Sequence, residues 1–177
     1  VLVARFRSSR LTTVLDPAQH FSRFLFYASI SMVTLVCGTG AIASALARRI
    51  ALRGGSLLLA GRSEQALQAL STELGGTPYR VVDFGQAESV GAALGELPSD
   101  LKGLAYAVGS ITLKRLQATK PADYMQSYAL NVIGASEALK ASVPALKANG
   151  GSAVFFSSVA AQRGFTSHAV VATLAVS

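Results

Sequence analysis

Gly38 and Gly40, in the run Gly38-Thr39-Gly40-Ala41-Ile42-Ala43, together with Arg62, are the residues whose types and spacing best suit a phosphate-rich ligand. In a G-x-G-x-x-A turn the first glycine permits a tight bend, the second lets a diphosphate approach the backbone, and Ala43 lets a helix lie close on a strand. Arg62 follows Gly40 by 22 positions, near where such turns place the group that meets an adenosine ribose. An acid there would favour NAD. A guanidinium instead offers a 2′-phosphate a positive partner, so NADP(H) is the expected coenzyme.

That chemistry needs particular elements around it. Met32–Cys37 is a continuous apolar run with β-branched Val33, Thr34 and Val36, as expected of a strand covered on both faces. After the turn, Ile42, Leu46 and Ile50 recur at helical spacing with Ala43 and Ala47 beside them, predicting one stripe toward a sheet and free N–H groups aimed at an anion. Gly54-Gly55 ends the helix, and Ser56–Ala60 returns as a strand. Ser63 can cap a helix carrying Leu67, Leu70 and Leu74, closed by Gly75-Gly76. Pro78–Phe84, Leu101–Val108 and Ser152–Ser157 read as further strands, with helices over Gln86–Leu94 and Ala122–Lys147. This alternation predicts an α/β protein with a doubly wound parallel sheet of the Rossmann type, in three α/β/α layers.

Bulk properties narrow the function classes. In 177 residues, 51% are hydrophobic and 14% charged, enough for one domain with a real core and too apolar for general disorder. The net charge of +7 is uneven. Residues 1–31 set Arg5, Arg7, Arg10 and Arg23 against Asp16, residues 32–63 carry Arg48, Arg49, Arg53 and Arg62 with no acid, and the remainder is balanced. The excess surrounds the glycine turn and an N-terminal segment, with no basic run interleaved with aromatics, so nucleic acid is not an expected partner. Cys37, alone in the chain, allows no internal disulfide and suits a reducing compartment, with the role of a small buried hydrophobe. No metal site is expected.

Residues 1–31, rich in Arg, Ser and Thr, read as a leader of transit-peptide type or a poorly ordered extension, with residues 32–177 as the nucleotide-binding domain. A membrane anchor is rejected: the strongly apolar part, Phe24–Cys37, has 14 residues, too few to span a bilayer, and its second half is needed as a strand. A cytoplasmic setting follows, or an organelle if the leader acts as an address.

Over about residues 32–175 the chain resembles the short-chain dehydrogenase/reductases. VCGTGAIASALA is similar to that family's glycine-rich turn, although Cys37, Ala41 and Ala43 stand where its usual register has glycines. LLLAGRS resembles its NADP-type second strand end, and VVDF places Asp83 and Phe84 where members meet the adenine. Tyr106-Ala107-Val108-Gly109 departs from the Asn-Asn-Ala-Gly pattern at the end of the fourth strand and keeps only the glycine and a small residue. The coenzyme contacts so implied are Gly38, Thr39, Gly40 and Ile42, then Arg62, then Asp83 and Phe84, then Ala107, Val108 and Gly109. NVIGA puts Asn131 at the family's catalytic asparagine, and FFSSVAAQRG puts Ser158 at its catalytic serine.

The resemblance implies hydride transfer between nicotinamide and a small-molecule carbonyl or alcohol, with a tyrosine moving the proton and a lysine lowering its pKa. Counting from Ser158, the tyrosine is expected at Val171 and the lysine at Ala175, so both roles are vacant. His168, three residues before Val171, has no carboxylate nearby in sequence to orient it and reads as a structural residue. Asp83 could instead cap its turn, Asn131 could bond a backbone carbonyl, and Tyr124, Met125 and Tyr128 read as packing. Two functions are therefore carried forward: an NADP(H)-dependent oxidoreductase, and a non-catalytic NADP(H)-binding module or subunit. An exported or anchored protein is a weaker third. Family members continue past the position of Ser177, so the fold is expected to be C-terminally incomplete, its last strand leaving an open apolar edge, and a homo-oligomer is allowed.

Overall fold

The computed structural model describes residues 2–7, 10–14, 32–158, 160 and 165–174. Five parallel strands form the centre: β3 (Val33–Cys37), β4 (Ser56–Gly61), β5 (Tyr79–Val81), β6 (Leu101–Tyr106) and β7 (Ser152–Phe155). Their order, β7-β6-β3-β4-β5, is that of a doubly wound sheet, with β3 in the middle.

Strand alternation sorts the core into two layers. Leu35, Cys37, Leu58, Ala60, Leu104, Tyr106 and Ala153 face one side, under α3 (Ala87–Leu94) and α5 (Gly134–Ala148). Val36, Leu57, Leu59, Ala105 and Val154 face the other, under α1 (Ala41–Ala51) and α2 (Glu64–Glu73). Both faces are covered, which is why these strands read as unbroken apolar runs rather than alternating ones. Ser63 caps α2 as expected, accepting from the Ala66 N–H at 3.3 Å. Along α1 the buried stripe is Ala43, Leu46, Ala47 and Ile50. Ile42, expected on that stripe, is 54% exposed at the first turn, on the ligand side of the helix.

Two further departures matter for the site. The long helix expected over 122–147 is three pieces: α4 (Pro121–Tyr128), a π turn (Ala129–Ile133) and α5. The open edge expected beyond β7 is paired: β1 (Leu2–Arg7) runs antiparallel to β7 with Val3 opposite Val154, and β2 (Arg10–Val14) pairs antiparallel to β1. Residues 15–31 of the expected leader lie outside the described residues, as does Ala175. Among the described residues no helix is long and apolar enough to cross a membrane.

Candidate coenzyme and active site

From β3 the chain crosses over one face through α1 to reach β4, whereas β6 connects over the other face through α4 and α5 to β7. The loops after β3 and β6 therefore diverge and leave a crevice at the carboxyl ends of these neighbouring strands, where doubly wound sheets take their ligands. Gly38 makes the first bend there at φ +110°, and a Cβ on it would come 2.9 Å from the Ala107 carbonyl oxygen. Both facts demand glycine: the conformation is strained for an L side chain, and the contact would pry β3's turn away from the end of β6. A Cβ on Gly40 would meet nothing within 4 Å, so this second glycine opens onto free space.

The turn is held from behind. Gly38 N–H donates to the Ala60 carbonyl at 2.7 Å, Ala107 N–H to the Cys37 carbonyl at 2.9 Å, and the Ser44 hydroxyl to the Thr39 carbonyl at 3.2 Å. The α1 N-terminus carries no side-chain cap and no acid in its first turn. Its orphan N–H groups and the positive end of its dipole thus face the crevice unopposed, an arrangement suited to a diphosphate. Burial pushes the Cys37 thiol far above its ordinary range, which makes it an inert core residue as the sequence suggested.

At the adenosine end, β4 runs against the same turn: a Cβ on Gly61 would lie 3.2 Å from Thr39 Cγ2. Arg62, the next residue, is exposed. Asp83 Oδ1 accepts the Gly85 N–H at 3.0 Å, so the carboxylate closes its own turn, the simpler of its two expected roles. Phe84 is 2% exposed and meets Tyr106 edge to face at 5.3 Å, so its ring belongs to the core and only its backbone is available to a coenzyme.

Beyond the turn the crevice widens into a cleft of about 550 Å³ that brings together Ile42, Ala107, Val108, Gly109, Asn131, Ser158 and Val171. Ser158 Oγ accepts the Ala160 N–H at 3.1 Å, which leaves its own proton free to be donated. Asn131 sits in the π turn. Its Nδ2 donates to Ser127 Oγ at 2.9 Å, and its Oδ1 accepts the Ser110 N–H at 3.3 Å. The asparagine thereby ties the loop after β6 to the helix, a role beyond the self-contained helix bond that was the bland alternative. Such widened turns recur at functional sites because they re-aim a side chain out of the regular helical ladder.

Residues outside the sequence-derived set complete the arrangement. Tyr106 donates its hydroxyl to the Leu130 carbonyl at 2.7 Å, inside the π turn, and burial, reinforced by neighbouring Cys37, pushes its pKa far up, so it stays a donor. A Cβ on Gly134 would come 2.9 Å from that hydroxyl and would also strike the Phe84 carbonyl oxygen. The signal for Tyr106 was present: a tyrosine ending a buried strand needs a partner for its hydroxyl. His168 is engaged elsewhere, its Nδ1 2.9 Å from the Thr166 carbonyl oxygen and its ring 5.6 Å from Phe165. Met125 and Tyr128, expected as packing, are 73% and 45% exposed.

The comparisons with known proteins agree with this fold. Residues 38–175 match the family model described as enoyl-(acyl carrier protein) reductase. Among solved structures, a short chain dehydrogenase/reductase family protein shares 23% identity at a TM-score of 0.77, over 84% of this chain and 64% of that one. An alcohol dehydrogenase from the archaeon Thermococcus sibiricus, complexed with 5-hydroxy-NADP, shares 25% at 0.72, over 82% and 66%. A closed serine dehydrogenase complexed with NADP+ shares 21% at 0.70, over 81% and 62%. The chain spans 62% and 64% of the length of two of the solved structures that it resembles. No curated protein matches it. The chain belongs to the short-chain dehydrogenase/reductase family, whose members are oxidoreductases using a nicotinamide coenzyme on small molecules.

Proposed function

We propose that the chain binds NADP(H) along the crevice between β3 and β6 and serves hydride transfer between the nicotinamide and a carbonyl or alcohol. The observation that carries this reading is the continuity of the crevice. The Gly38 turn is fixed against Ala107, and Ala107 together with Ile42 of the following α1 turn lines the cleft that holds Ser158 and Asn131. The glycine cradle and the uncapped helix end fit a diphosphate, and Arg62 beside the turn fits a 2′-phosphate. When bound, the coenzyme supplies or accepts the hydride; the protein's part is to grip, orient and exclude water.

Ser158, its hydroxyl proton free, would orient a substrate oxygen, and Asn131 would keep the Gly109–Ser110 loop against the cleft. Val171 lines the wall where the family resemblance expects a proton-donating tyrosine. A positioned general acid is typically worth roughly 10²–10⁴-fold, so turnover is expected to be slow. The test is NADPH oxidation dependent on an added ketone or aldehyde, with coenzyme binding followed in parallel by fluorescence. Turnover abolished by Ser158→Ala, with NADPH affinity kept, supports the reading. Binding with no turnover on any carbonyl compound would favour the coenzyme-holding module, and no binding of either coenzyme would remove both.

A further inference from the structure

We propose that the cleft discriminates between the two redox states of the bound coenzyme, taking the neutral dihydronicotinamide of NADPH in preference to the cationic ring of NADP+. The inference rests on the coenzyme reading above and goes further, to the regulation of that same site. Its basis is the chemistry of the wall. Among the described residues none that lines the cleft is charged, and its sides are formed by Ile42, Val108, Ile111, Val132 and Val171 with Phe155 and Phe156. The polar groups there are hydroxyls and one amide, and several are already engaged: Tyr106 with the Leu130 carbonyl, Asn131 with Ser127 and Ser110.

An oxidised nicotinamide entering this space surrenders water around a delocalised positive charge and finds no carboxylate in return. The reduced ring carries no charge and loses little. One further feature acts in the same direction: Lys114 and Asp123, the charged pair in the segment that follows Ile111, are closed on each other at 2.7 Å, so this acid is neutralised. The coenzyme's own diphosphate is held by the α1 N-terminus in either redox state. A cation–π contact with Phe155 or Phe156 would favour the oxidised ring, and Phe155 already lies against Tyr106, with centroids 6.3 Å apart. The adenosine and diphosphate halves of the two coenzymes are identical, so the difference in affinity reports the nicotinamide half alone. Occupancy of the site then follows the reduced fraction of the coenzyme pool.

The experiment is a set of titrations of the full chain with NADPH, by fluorescence, and with NADP+ and 2′-phospho-ADP-ribose, which keeps the diphosphate and lacks the nicotinamide, by competition against it. NADPH is expected to bind about 10-fold tighter than NADP+, with NADP+ no tighter than the ring-less fragment, because burying the uncompensated cation cancels the ring's apolar contacts. A ratio above about 3 supports the inference; a ratio of about 3 or less, or a reversed one, overturns it while leaving the coenzyme site standing. Binding of none of the three overturns the underlying reading itself. Val171→Asp, with the fold checked by circular dichroism, places an anion on the wall and is expected to bring the ratio toward one. A wild-type ratio in that folded variant would also overturn the proposal.

Discussion

The Tyr106 hydroxyl and the Leu130 carbonyl, 2.7 Å apart, join the last residue of β6 to the second residue of the π turn. Asn131 is the next residue along, and its amide in turn holds Ser110, four residues beyond Tyr106. The strand end, the widened helical turn and the loop lining the cleft therefore form one closed circuit. Its hydroxyl satisfies a carbonyl where the widened turn disturbs the regular ladder. Tyr106→Phe keeps the ring contacts with Phe84 and Phe155 and removes only this donor. The half-buried carbonyl left without it should cost about 1 kcal/mol, read as a lowered urea midpoint at unchanged m. In the same variant the side-chain amide resonances of Asn131 should lose their distinct shifts. Unchanged stability and unchanged Asn131 signals would show that the circuit does not hold the turn. Gly134→Ala should be more damaging, since its methyl would meet both the hydroxyl and the Phe84 carbonyl.

Arg62 begins where β4 leaves the glycine turn, with Gly61 packed on Thr39. If it meets the 2′-phosphate, Arg62→Ala removes a charge-assisted contact that NADPH has and NADH lacks. Losing a hydrogen bond to a charged group costs about 1.5–3 kcal/mol, so NADPH affinity should fall roughly 10- to 100-fold. NADH affinity should change less than about 2-fold, since its free ribose hydroxyl offers the guanidinium no anion. Equal losses for both coenzymes in isothermal titration would contradict the assignment.

What the sequence disclosed and what it withheld divide along physical lines. The central strands were legible because burial on both faces leaves apolar runs such as Leu35–Cys37 and Leu57–Ala60, and the turn was legible because Gly38 answers a steric demand no other residue meets. Arg62 was reached by spacing, Asn131 and Ser158 by the family resemblance of NVIGA and FFSSVAAQRG, and the structure sets the last two in one cleft. The π turn was not legible. Apolar spacing continues through residues 122–147, and the disturbance is stabilised by Tyr106, 24 positions upstream of Leu130. The pairing of β1 with β7 is longer in range still: Arg, Ser and Thr content describes residues 2–14 locally, and nothing local specifies that Val3 lies opposite Val154. The burial of the Phe84 ring was not legible either, since nothing local to VVDF tells that the ring meets Tyr106 in the core.

Thr34, 1% exposed near the start of β3, has a hydroxyl with no hydrogen-bond partner among the described residues, pressed toward Gly103 of β6, where a Cβ would come 2.8 Å from it. A buried hydroxyl without a partner opposes folding, and Thr34→Val replaces it with a methyl of nearly the same shape. The substitution should raise stability by about 1 kcal/mol, seen as a higher urea midpoint, and leave coenzyme affinity unchanged because the residue lies below the crevice. A destabilised Thr34→Val protein would mean that the hydroxyl has a partner after all, a bound water among them.

Val171 lines the same cleft as Ser158 and Asn131, so the position at which the family resemblance expects a proton donor faces the space where a carbonyl would react. The vacancy is then one of side-chain chemistry and not of placement. Val171→Tyr supplies a phenol, and the cleft of about 550 Å³ has room for its ring. An unassisted phenol keeps a pKa near 10, so the single variant is expected to gain little near neutral pH. Adding Ala175→Lys, four positions further along the sequence, supplies the lysine that the family resemblance expects to lower that pKa toward the working range. Ketone-dependent NADPH oxidation by the double variant should exceed that of the starting protein by roughly 10²-fold or more, with a rate that rises with pH in the oxidative direction as the phenol ionises. The same double variant with Ser158→Ala should lose most of that gain, because the donor and the residue orienting the oxygen act on one atom. If the double variant binds NADPH as tightly as before and gains no turnover on any carbonyl compound, then Val171 does not face the reacting centre and the cleft is not where hydride transfer would occur.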